Sequence, residues 1–199
     1  MVKKEERIIR IITLGPSGVG KTSIIERIIN KRFEESYFTT ISIDFYHKII
    51  DYKNLKLKLH YVDTAGQERY NKLPLNYIRN ASIILFIFDD LDSLIELEKR
   101  WYKFYEENED IKKSISIVIG NKSDAYGDKR QEIIELGKKF SDKIDAFFIS
   151  CSAKSADNID NLENIIEKEA KRLMDQKINQ ENYLKLLKQK EDEKRKCPC

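Results

Sequence analysis

The chain has 199 residues, of which 41% are hydrophobic and 36% charged, the composition of one ordinary folded domain with room for a short tail. Its longest apolar run, residues 83–88, is far shorter than the roughly 20 residues that cross a bilayer, so we expect no transmembrane helix. The net charge is +3, and residues 185–196 alone hold six basic and three acidic groups. The neutral remainder disfavours nucleic-acid binding, whereas the short basic segment suits an anionic membrane surface.

Strands and helices are predicted to alternate along the chain. The strands are expected at residues 7–14, 43–50, 55–62, 82–88, 114–119 and 146–150, and the helices at 23–30, 92–107, 128–140 and 157–174. Continuous apolar strands between helices indicate a mainly parallel sheet that is covered on both faces. We therefore predict a doubly wound α/β fold, with a mainly parallel six-stranded sheet and one antiparallel edge strand. This domain would span residues 1–174, and a flexible tail would follow over 175–199.

A glycine-rich loop connects the first predicted strand to the first helix. Residues 15–22, GPSGVGKT, fit the pattern G-x-x-x-x-G-K-[ST] in the setting that this pattern requires. The backbone N–H groups of such a loop and the positive end of the following helix bind phosphate oxygens. Lys21 would reach the β and γ phosphates, and the Thr22 hydroxyl would coordinate Mg²⁺. The alternative interpretation is an ordinary glycine turn before a helix.

The strands expected at 43–50 and 55–62 are separated by only four residues and predict a hairpin. A second polar segment, DTAGQER at residues 63–69, follows its second arm. The Asp63 carboxylate there can hold the magnesium shell, and Gly66 offers an N–H group to a γ-phosphate. Gln67 can orient a water molecule for in-line attack. A simple turn after a strand is the alternative, but it does not explain these residue types together.

Two further polar segments follow predicted strands, NKSD at residues 121–124 and SCSAK at residues 150–154. A carboxylate such as that of Asp124 can accept hydrogen bonds from both N1–H and the exocyclic amine of guanine, a donor pair that adenine lacks. These segments therefore favour GTP over ATP. NKSD alone could be a polar turn, but it occurs about 100 residues after a phosphate loop.

These four segments, in this order and spacing, resemble those of the Ras-like small GTPases over residues 7–174, and within that group the chain resembles a Rab protein. The Rab resemblance rests on TTISIDF at residues 39–45, DTAGQERY at 63–70, NYIRNA at 76–81 and the terminal Cys-Pro-Cys. It implies a P-loop small G domain that switches between GTP and GDP with Mg²⁺, hydrolyses GTP slowly and regulates vesicle and membrane trafficking by binding effectors in the GTP state.

The resemblance also implies roles for individual residues. Phe33 would stack on guanine, although a core aromatic is the alternative, and Thr40 would reach Mg²⁺ and the γ-phosphate. The expected nucleotide contacts are Ser17, Gly18, Val19, Gly20, Lys21, Thr22, Ser23, Phe33, Tyr37, Thr40, Gly66, Asn121, Lys122, Asp124, Ser152, Ala153 and Lys154. The expected catalytic residues are Gln67, Lys21 and Gly66, and the expected metal ligands are Thr22, Thr40 and, through water, Asp63.

The effector surface implied by the resemblance comprises Ile43, Phe45, Val62 and Tyr77. The sequence departs from the Rab pattern here, because Val62 stands where a Rab has tryptophan. Glycine is usual where this chain has Ser42 and Asn80, and Pro16 removes one backbone donor from the phosphate loop. These departures concern partner identity rather than nucleotide binding.

Three cysteines occur, so no disulfide framework of the secreted kind is available and a reducing compartment is expected. Cys151 is predicted to be a packing residue. By resemblance Cys197 and Cys199 would carry two geranylgeranyl groups, which suits stable membrane anchoring. A terminal metal-binding pair or unmodified thiols are the alternatives.

The expected partners are a guanine-nucleotide exchange factor, a GTPase-activating protein, a GDP-dissociation inhibitor, a prenylation escort protein and effectors. A monomer is expected, cytoplasmic and reversibly attached by its lipids to the cytosolic face of an endomembrane or vesicle, with no nucleic-acid partner. The alternative functions are a P-loop enzyme that transfers phosphate to a small acceptor, and a binding module locked in one nucleotide state.

Overall fold

The computed structural model describes residues 4–35, 43–64 and 80–196. Six strands in these ranges form one sheet in the order β2-β3-β1-β4-β5-β6. They are β1 (Glu5–Leu14), β2 (Asp44–Tyr52), β3 (Leu55–Asp63), β4 (Ile83–Phe88), β5 (Ile115–Gly120) and β6 (Phe147–Ser150). The edge strand β2 pairs antiparallel with β3, and every other pairing is parallel. The predicted sheet, with its one antiparallel edge strand, is confirmed.

Helices connect the strands. They are α1 (Lys21–Asn30), α2 (Leu91–Glu96), α3 (Lys103–Glu106), α4 (Glu109–Lys112), α5 (Arg130–Lys143) and α6 (Ile159–Lys196). A π-helical segment, Leu97–Tyr102, joins α2 to α3, so one interrupted helix occupies the predicted range 92–107. It begins at Asp90, whose Oδ1 accepts a hydrogen bond of 2.7 Å from the Ser93 N–H, while the Ser93 hydroxyl accepts one of 2.9 Å from the Asp90 N–H. This reciprocal capping box satisfies backbone donors that the first helical turn leaves unpaired.

Two apolar clusters cover the two faces of the sheet, because successive side chains of a strand point to opposite faces. In β1, Ile9 and Ile11 belong to the cluster beneath α1 and α6. Ile12 and Leu14 belong to the cluster beneath α2, the π-helical segment and α5. Burial on both faces accounts for the continuous apolar run in β4, whose residues are all buried. The doubly wound arrangement is therefore confirmed.

The parallel strands place their carboxyl ends along one edge of the sheet. β1, β3, β4, β5 and β6 end there, at Leu14, Asp63, Phe88, Gly120 and Ser150. The segments that follow these strands therefore lie side by side, although the ends of β1 and β6, Leu14 and Ser150, are 136 residues apart in sequence. Ligands of open α/β sheets bind at this edge.

The last helix, α6, continues past the predicted end at residue 174 as far as Lys196. Ile178 packs against the first core cluster, and Tyr52 donates a hydrogen bond of 2.7 Å to Asp175. Arg7 donates two hydrogen bonds to the Glu181 carboxylate, of 3.1 and 3.2 Å. The division of the chain at residue 174 stays a prediction, but the helix passes through it and its next two turns contact the sheet.

No helix in the described part of the chain combines the length and the apolar character that a membrane span needs.

Candidate nucleotide-binding site

The loop between β1 and α1 depends on glycine at two close approaches. Gly15 has a φ of 151°, and a Cβ atom there would lie 2.1 Å from the carbonyl oxygen of Ile87 in β4. Gly20 has a φ of 89°, and its Cβ atom would lie 2.3 Å from Nδ2 of Asn121. A side chain at either position would have to displace backbone or a buried amide, in a conformation that L-residues rarely adopt. The loop is thereby pressed against the carboxyl edge of the sheet, and α1 begins immediately after it.

Lys21 is a buried cation at the start of α1. Its side chain crosses the loop, and Nζ donates hydrogen bonds to the carbonyl oxygens of Gly15 at 2.9 Å and Pro16 at 2.7 Å. Burial lowers the pKa of Lys21 to about 8, although the charges of Asp63, Glu96 and Asp89 oppose this shift. A desolvated ammonium gains most from an added negative charge, so this position is suited to a phosphate anion.

Thr22 and Asp63 lie in direct contact beside Lys21. The Thr22 hydroxyl donates a hydrogen bond of 2.6 Å to Oδ2 of Asp63. Asp63 is fully buried, and burial raises the pKa of its carboxyl group, while Thr22, Lys21 and Thr13 act in the opposite direction. A buried carboxylate next to a hydroxyl oxygen is the donor set that a hard cation such as Mg²⁺ prefers. These residues therefore fit the predicted metal. Thr40, the third predicted ligand, lies outside the described residues.

Asn121 connects the phosphate loop to the loop after β6. Its Nδ2 donates to the carbonyl oxygen of Val19 at 2.8 Å, and its Oδ1 accepts from the Ala153 N–H at 3.1 Å. Each end of this buried amide thus holds a different loop in place. Asn121 was predicted as a nucleotide contact, and the structure additionally makes it the bridge between these two loops.

Asp124 and Lys122 occupy the turn after β5. The Ser152 hydroxyl donates to Oδ1 of Asp124 at 2.5 Å, so a buried serine orients an exposed carboxylate. Lys122 has a φ of 57°, an uncommon conformation for a lysine, and its ammonium forms an ion pair of 2.5 Å with Asp89. This turn presents the Asp124 carboxylate beside Ala153 and Lys154 in one cavity wall.

A cavity of about 610 Å³ runs between these groups, within the size range of small-molecule sites. We call residues 15–22 with Asp63 the phosphate end, and residues 121–124 and 152–154 with Phe33 the base end. The predicted contacts that line the cavity are Ser17, Gly18, Gly20, Lys21, Thr22, Ser23, Phe33, Asn121, Lys122, Asp124, Ala153 and Lys154. The structure thus brings together most of the predicted site within its described residues.

Two predicted contacts have other positions. The Val19 side chain is buried in the core, and its carbonyl accepts from Asn121. Ser152 is buried behind Asp124. Tyr37, Thr40, Gly66 and Gln67 lie outside the described residues, so their roles stay predictions.

Several residues that line the cavity were not among the contacts predicted from the sequence. Glu26 and Asn30 line it from α1, and with Ser23 they have the spacing i, i+3, i+7 of one helix face, a signal that could have identified them. Thr64 also lines it, directly after Asp63. The base-end neighbour Cys151 is buried, and burial raises the pKa of its thiol to about 12. This agrees with the packing role predicted for it.

The predicted effector surface is only partly described. Phe45 is 51% exposed, and its ring centroid lies 5.4 Å from that of His60. Ile43 is half-buried against the second core cluster, and Val62 is 1% exposed within that cluster. The Val62 side chain is therefore not accessible to a partner here, and Phe45 is the exposed member. Tyr77 lies outside the described residues.

Asn80 has a φ of 64°, in the left-handed region that favours glycine. Asparagine tolerates this conformation better than most residues, which explains how it can occupy a position where the Rab pattern has glycine.

The fold and site define a class of protein: a P-loop α/β domain, with a buried lysine, a threonine–aspartate pair whose oxygens fit a divalent cation, and a carboxylate at the base end of one cavity. Comparison with known proteins places the chain in the same class. The Ras family model matches residues 10–172. Ras-related protein SEC4 of Saccharomyces cerevisiae is 34% identical over 161 residues, covering 80% of this chain and 74% of that protein.

Two further relatives cover more of the chain. GTP-binding protein ypt2 of Schizosaccharomyces pombe is 34% identical over 183 residues, covering 90% of this chain and 88% of that protein. Ras-related protein Rab-8A of Gallus gallus is 33% identical over 181 residues, covering 89% and 86%. The chain belongs to the Ras family, as a small GTPase of the Rab type. It accordingly binds guanine nucleotide and hydrolyses GTP, and its partners are of the regulator and effector kinds.

Proposed function

We propose that this GTPase is a membrane-attached switch that binds GTP or GDP with Mg²⁺ and regulates a step of vesicle trafficking. The observation that supports it most is the continuity of one cavity from Lys21 and Thr22 to Asp124. An elongated ligand with phosphates at one end and guanine at the other matches these chemically different ends. The Asp124 carboxylate favours a guanine-nucleotide switch over the alternative of a phosphate-transferring enzyme that uses ATP, because guanine offers it two neighbouring donors, N1–H and the exocyclic amine, a pair that adenine lacks.

The residues of the phosphate end would act on the γ-phosphate through position and charge. Lys21 would exchange its two loop carbonyls for phosphate oxygens and offset the negative charge that develops as the bond breaks. Thr22 and Thr40 directly, and Asp63 through a water molecule, would hold Mg²⁺, which when bound neutralises charge on the β and γ phosphates. Gln67 and Gly66 would place the attacking water and the γ-phosphate.

The two segments that read the γ-phosphate would be residues 36–45 and 64–76. The second begins directly after Asp63, at the carboxyl end of β3, and the first leads into β2, which pairs with β3 along its whole length. Loss of the γ-phosphate removes the contacts that hold such segments, and effectors would distinguish the two states.

Regulators would set the timing of this switch. We infer that a GTPase-activating protein accelerates hydrolysis and that an exchange factor releases GDP. A GDP-dissociation inhibitor and a prenylation escort protein would handle lipids on Cys197 and Cys199. Those lipids would attach the protein to the cytosolic face of an endomembrane.

The test is single-turnover hydrolysis of preloaded GTP by the purified protein with Mg²⁺, beside a Gln67→Leu variant. We expect a rate on the order of 10⁻⁴ s⁻¹ for the unmodified chain and a further loss in the variant, with both proteins retaining GTP. A matched control is Gln131→Leu, which alters an exposed glutamine on α5. A rate near 1 s⁻¹ without a partner, or displacement of GTP by excess ATP, would contradict the proposal.

A further inference from the structure

Arg27, in the last turn and a half of α1, uses three donor groups on three backbone carbonyls. Nε donates to the carbonyl oxygen of Ala153 at 2.7 Å, and one terminal nitrogen donates to that of Lys154 at 2.9 Å. The other terminal nitrogen donates to the carbonyl of Lys31, the residue that ends α1 in a left-handed conformation, at 3.2 Å. The guanidinium carbon also lies 5.8 Å from the centroid of the Phe33 ring. One side chain thus contacts the loop after β6, the end of α1 and the Phe33 ring.

The loop after β6 is held on its other side by different groups. The Ala153 N–H is taken by Asn121, and the Ser155 N–H donates to the Ser152 hydroxyl at 3.0 Å. Two residues of this loop, Ala156 and Asn158, have positive φ values of 64° and 57°. The carbonyls of Ala153 and Lys154 face α1 instead, and Arg27 is the donor that binds both of them.

The chemistry of this contact requires arginine. A planar guanidinium offers several N–H groups in a fixed arrangement, so two neighbouring carbonyls and a third from α1 can be bound at once. Hydrogen bonds from an ionised donor are stronger than neutral ones. A lysine at this position has the charge but only a point-like ammonium, which cannot reproduce the planar set of contacts.

We propose that Arg27 is a positioning residue for the nucleotide: it fixes residues 153–154 and the Phe33 ring against α1 and so slows release of the base. This rests on the proposed nucleotide site. Arg27 does not itself line the cavity within the described residues, so it acts through the groups that do. Because its contacts lie at the base end and leave Lys21, Thr22 and Asp63 untouched, its loss speeds nucleotide release without changing the chemical step.

The experiment measures two rates for the full chain loaded with Mg²⁺ and nucleotide. The first is release of a fluorescent GDP after addition of excess unlabelled GDP, and the second is single-turnover hydrolysis of bound GTP. The variants are Arg27→Ala and Arg27→Lys. The matched control is Arg172→Ala, because Arg172 is another helical arginine, its side chain is half exposed, and its contact is with Glu169 on the same helix.

We expect GDP release to be about tenfold faster in Arg27→Ala than in the unmodified chain, and the release rate of Arg27→Lys to lie between those two rates. Hydrolysis of bound GTP should stay within about twofold of the unmodified rate in both variants. Arg172→Ala is expected to leave both rates unchanged. The proposal would be overturned if Arg27→Ala released GDP at the unmodified rate. It would also be overturned if hydrolysis of bound GTP slowed in that variant by as large a factor as GDP release accelerated. Should Arg27→Ala fail to fold, by circular dichroism with saturating GDP, Arg27→Lys decides, and unmodified release in that variant overturns it.

The outcomes separate this proposal from the one on which it rests. A wild-type chain that does not retain GDP contradicts the proposed nucleotide site itself. A wild-type chain that retains GDP, with Arg27→Ala releasing it equally slowly, contradicts only the role of Arg27.

Discussion

The phosphate end and the base end of the cavity are built in opposite ways. The phosphate end comes mainly from one contiguous loop, its charged groups Lys21 and Asp63 are buried, and its close approaches tolerate only glycine. The base end is assembled from several separate segments, and Asp124 and Lys154 are exposed there. It is held by side-chain hydrogen bonds from Asn121, Ser152 and Arg27. Substitutions at the phosphate end should therefore abolish binding or chemistry, whereas substitutions at the base end should change selectivity and the rate of release.

The largest expected effect is at the buried cation. Lys21→Met removes the ammonium that we propose to contact the phosphates and leaves their charge without this partner, so GTP affinity should fall roughly 1,000-fold or more. Isothermal titration calorimetry measures this directly. Lys139→Met, at an exposed position on α5, is the control and should bind normally. Affinity within tenfold of the unmodified protein would refute the importance given to the phosphate end.

The second-largest effect is expected when a hydrogen-bond acceptor at the base end is replaced by a donor. Asp124→Asn should weaken GTP binding about 100-fold, because the guanine donors then face an amide N–H, and it should improve binding of xanthosine triphosphate, whose 2-oxo group accepts. Competition between the two nucleotides measures the change in preference. Asp128→Asn, in the next turn and exposed, should leave the preference as it was. A uniform loss for both nucleotides would contradict the base-reading role.

A pH dependence should also distinguish the two ends. Burial lowers the pKa of Lys21 to about 8 in the nucleotide-free protein, and a bound phosphate raises it again. Nucleotide affinity is therefore complete below pH 8 and declines as the pH rises above it, by about tenfold at pH 9.

Proton uptake on binding near pH 8.5, measured by calorimetry in buffers of different ionisation enthalpy, checks this pH dependence. Lys21→Met should lack the uptake, and Asp124→Asn should retain it. Equal uptake in both variants would show that another group takes up the proton.

The smallest expected effect concerns the orientation of Asp124. Ser152→Ala removes the hydroxyl that donates to Oδ1, so GDP release should become about fivefold faster while hydrolysis of bound GTP stays the same. Stopped-flow release with fluorescent GDP measures it. Ser155→Ala, with its hydroxyl at an exposed position in the same loop, should have little effect. No change in Ser152→Ala would indicate that Asp124 is oriented without it.

The same contrast explains how far the sequence could be interpreted. The phosphate end was predictable because eight consecutive residues, 15–22, supply most of its groups. Their spacing is the one that a glycine-rich loop before a helix needs in order to bind phosphate oxygens. Continuous apolar strands between helices also predicted the mainly parallel sheet, and the hairpin of the strands expected at 43–50 and 55–62 predicted its antiparallel edge. Asp124 was predictable because its motif follows a strand whose carboxyl end falls at the ligand-binding edge.

What could not be predicted depends on contacts between distant segments. Nothing in the sequence around Arg27 indicates that two carbonyls 126 and 127 residues away accept from it. The alternation of apolar and polar side chains along β3 places Val62 on the same face as Lys58 and His60, and so favours exposure of Val62. The carboxyl end of β3 nevertheless lies over the second core cluster, and Val62 packs into it. The continuation of α6 past Met174 likewise follows from contacts with Tyr52 and Arg7 that its own thinning apolar pattern does not reveal.

Helix α1 has ten residues and is therefore about 15 Å long. Its first residue, Lys21, contacts the phosphate loop, and its last turns hold the base-end loop through Arg27. A nucleotide that spans this helix is a bivalent ligand, because its two binding sites are fixed on one rigid element. When one end of the nucleotide detaches, the bound end keeps the detached end at a high effective concentration, so that it rebinds. Slow dissociation then depends on both ends being held at the same time. A partner protein that disrupts only one end of the cavity is therefore enough to convert slow nucleotide exchange into rapid exchange.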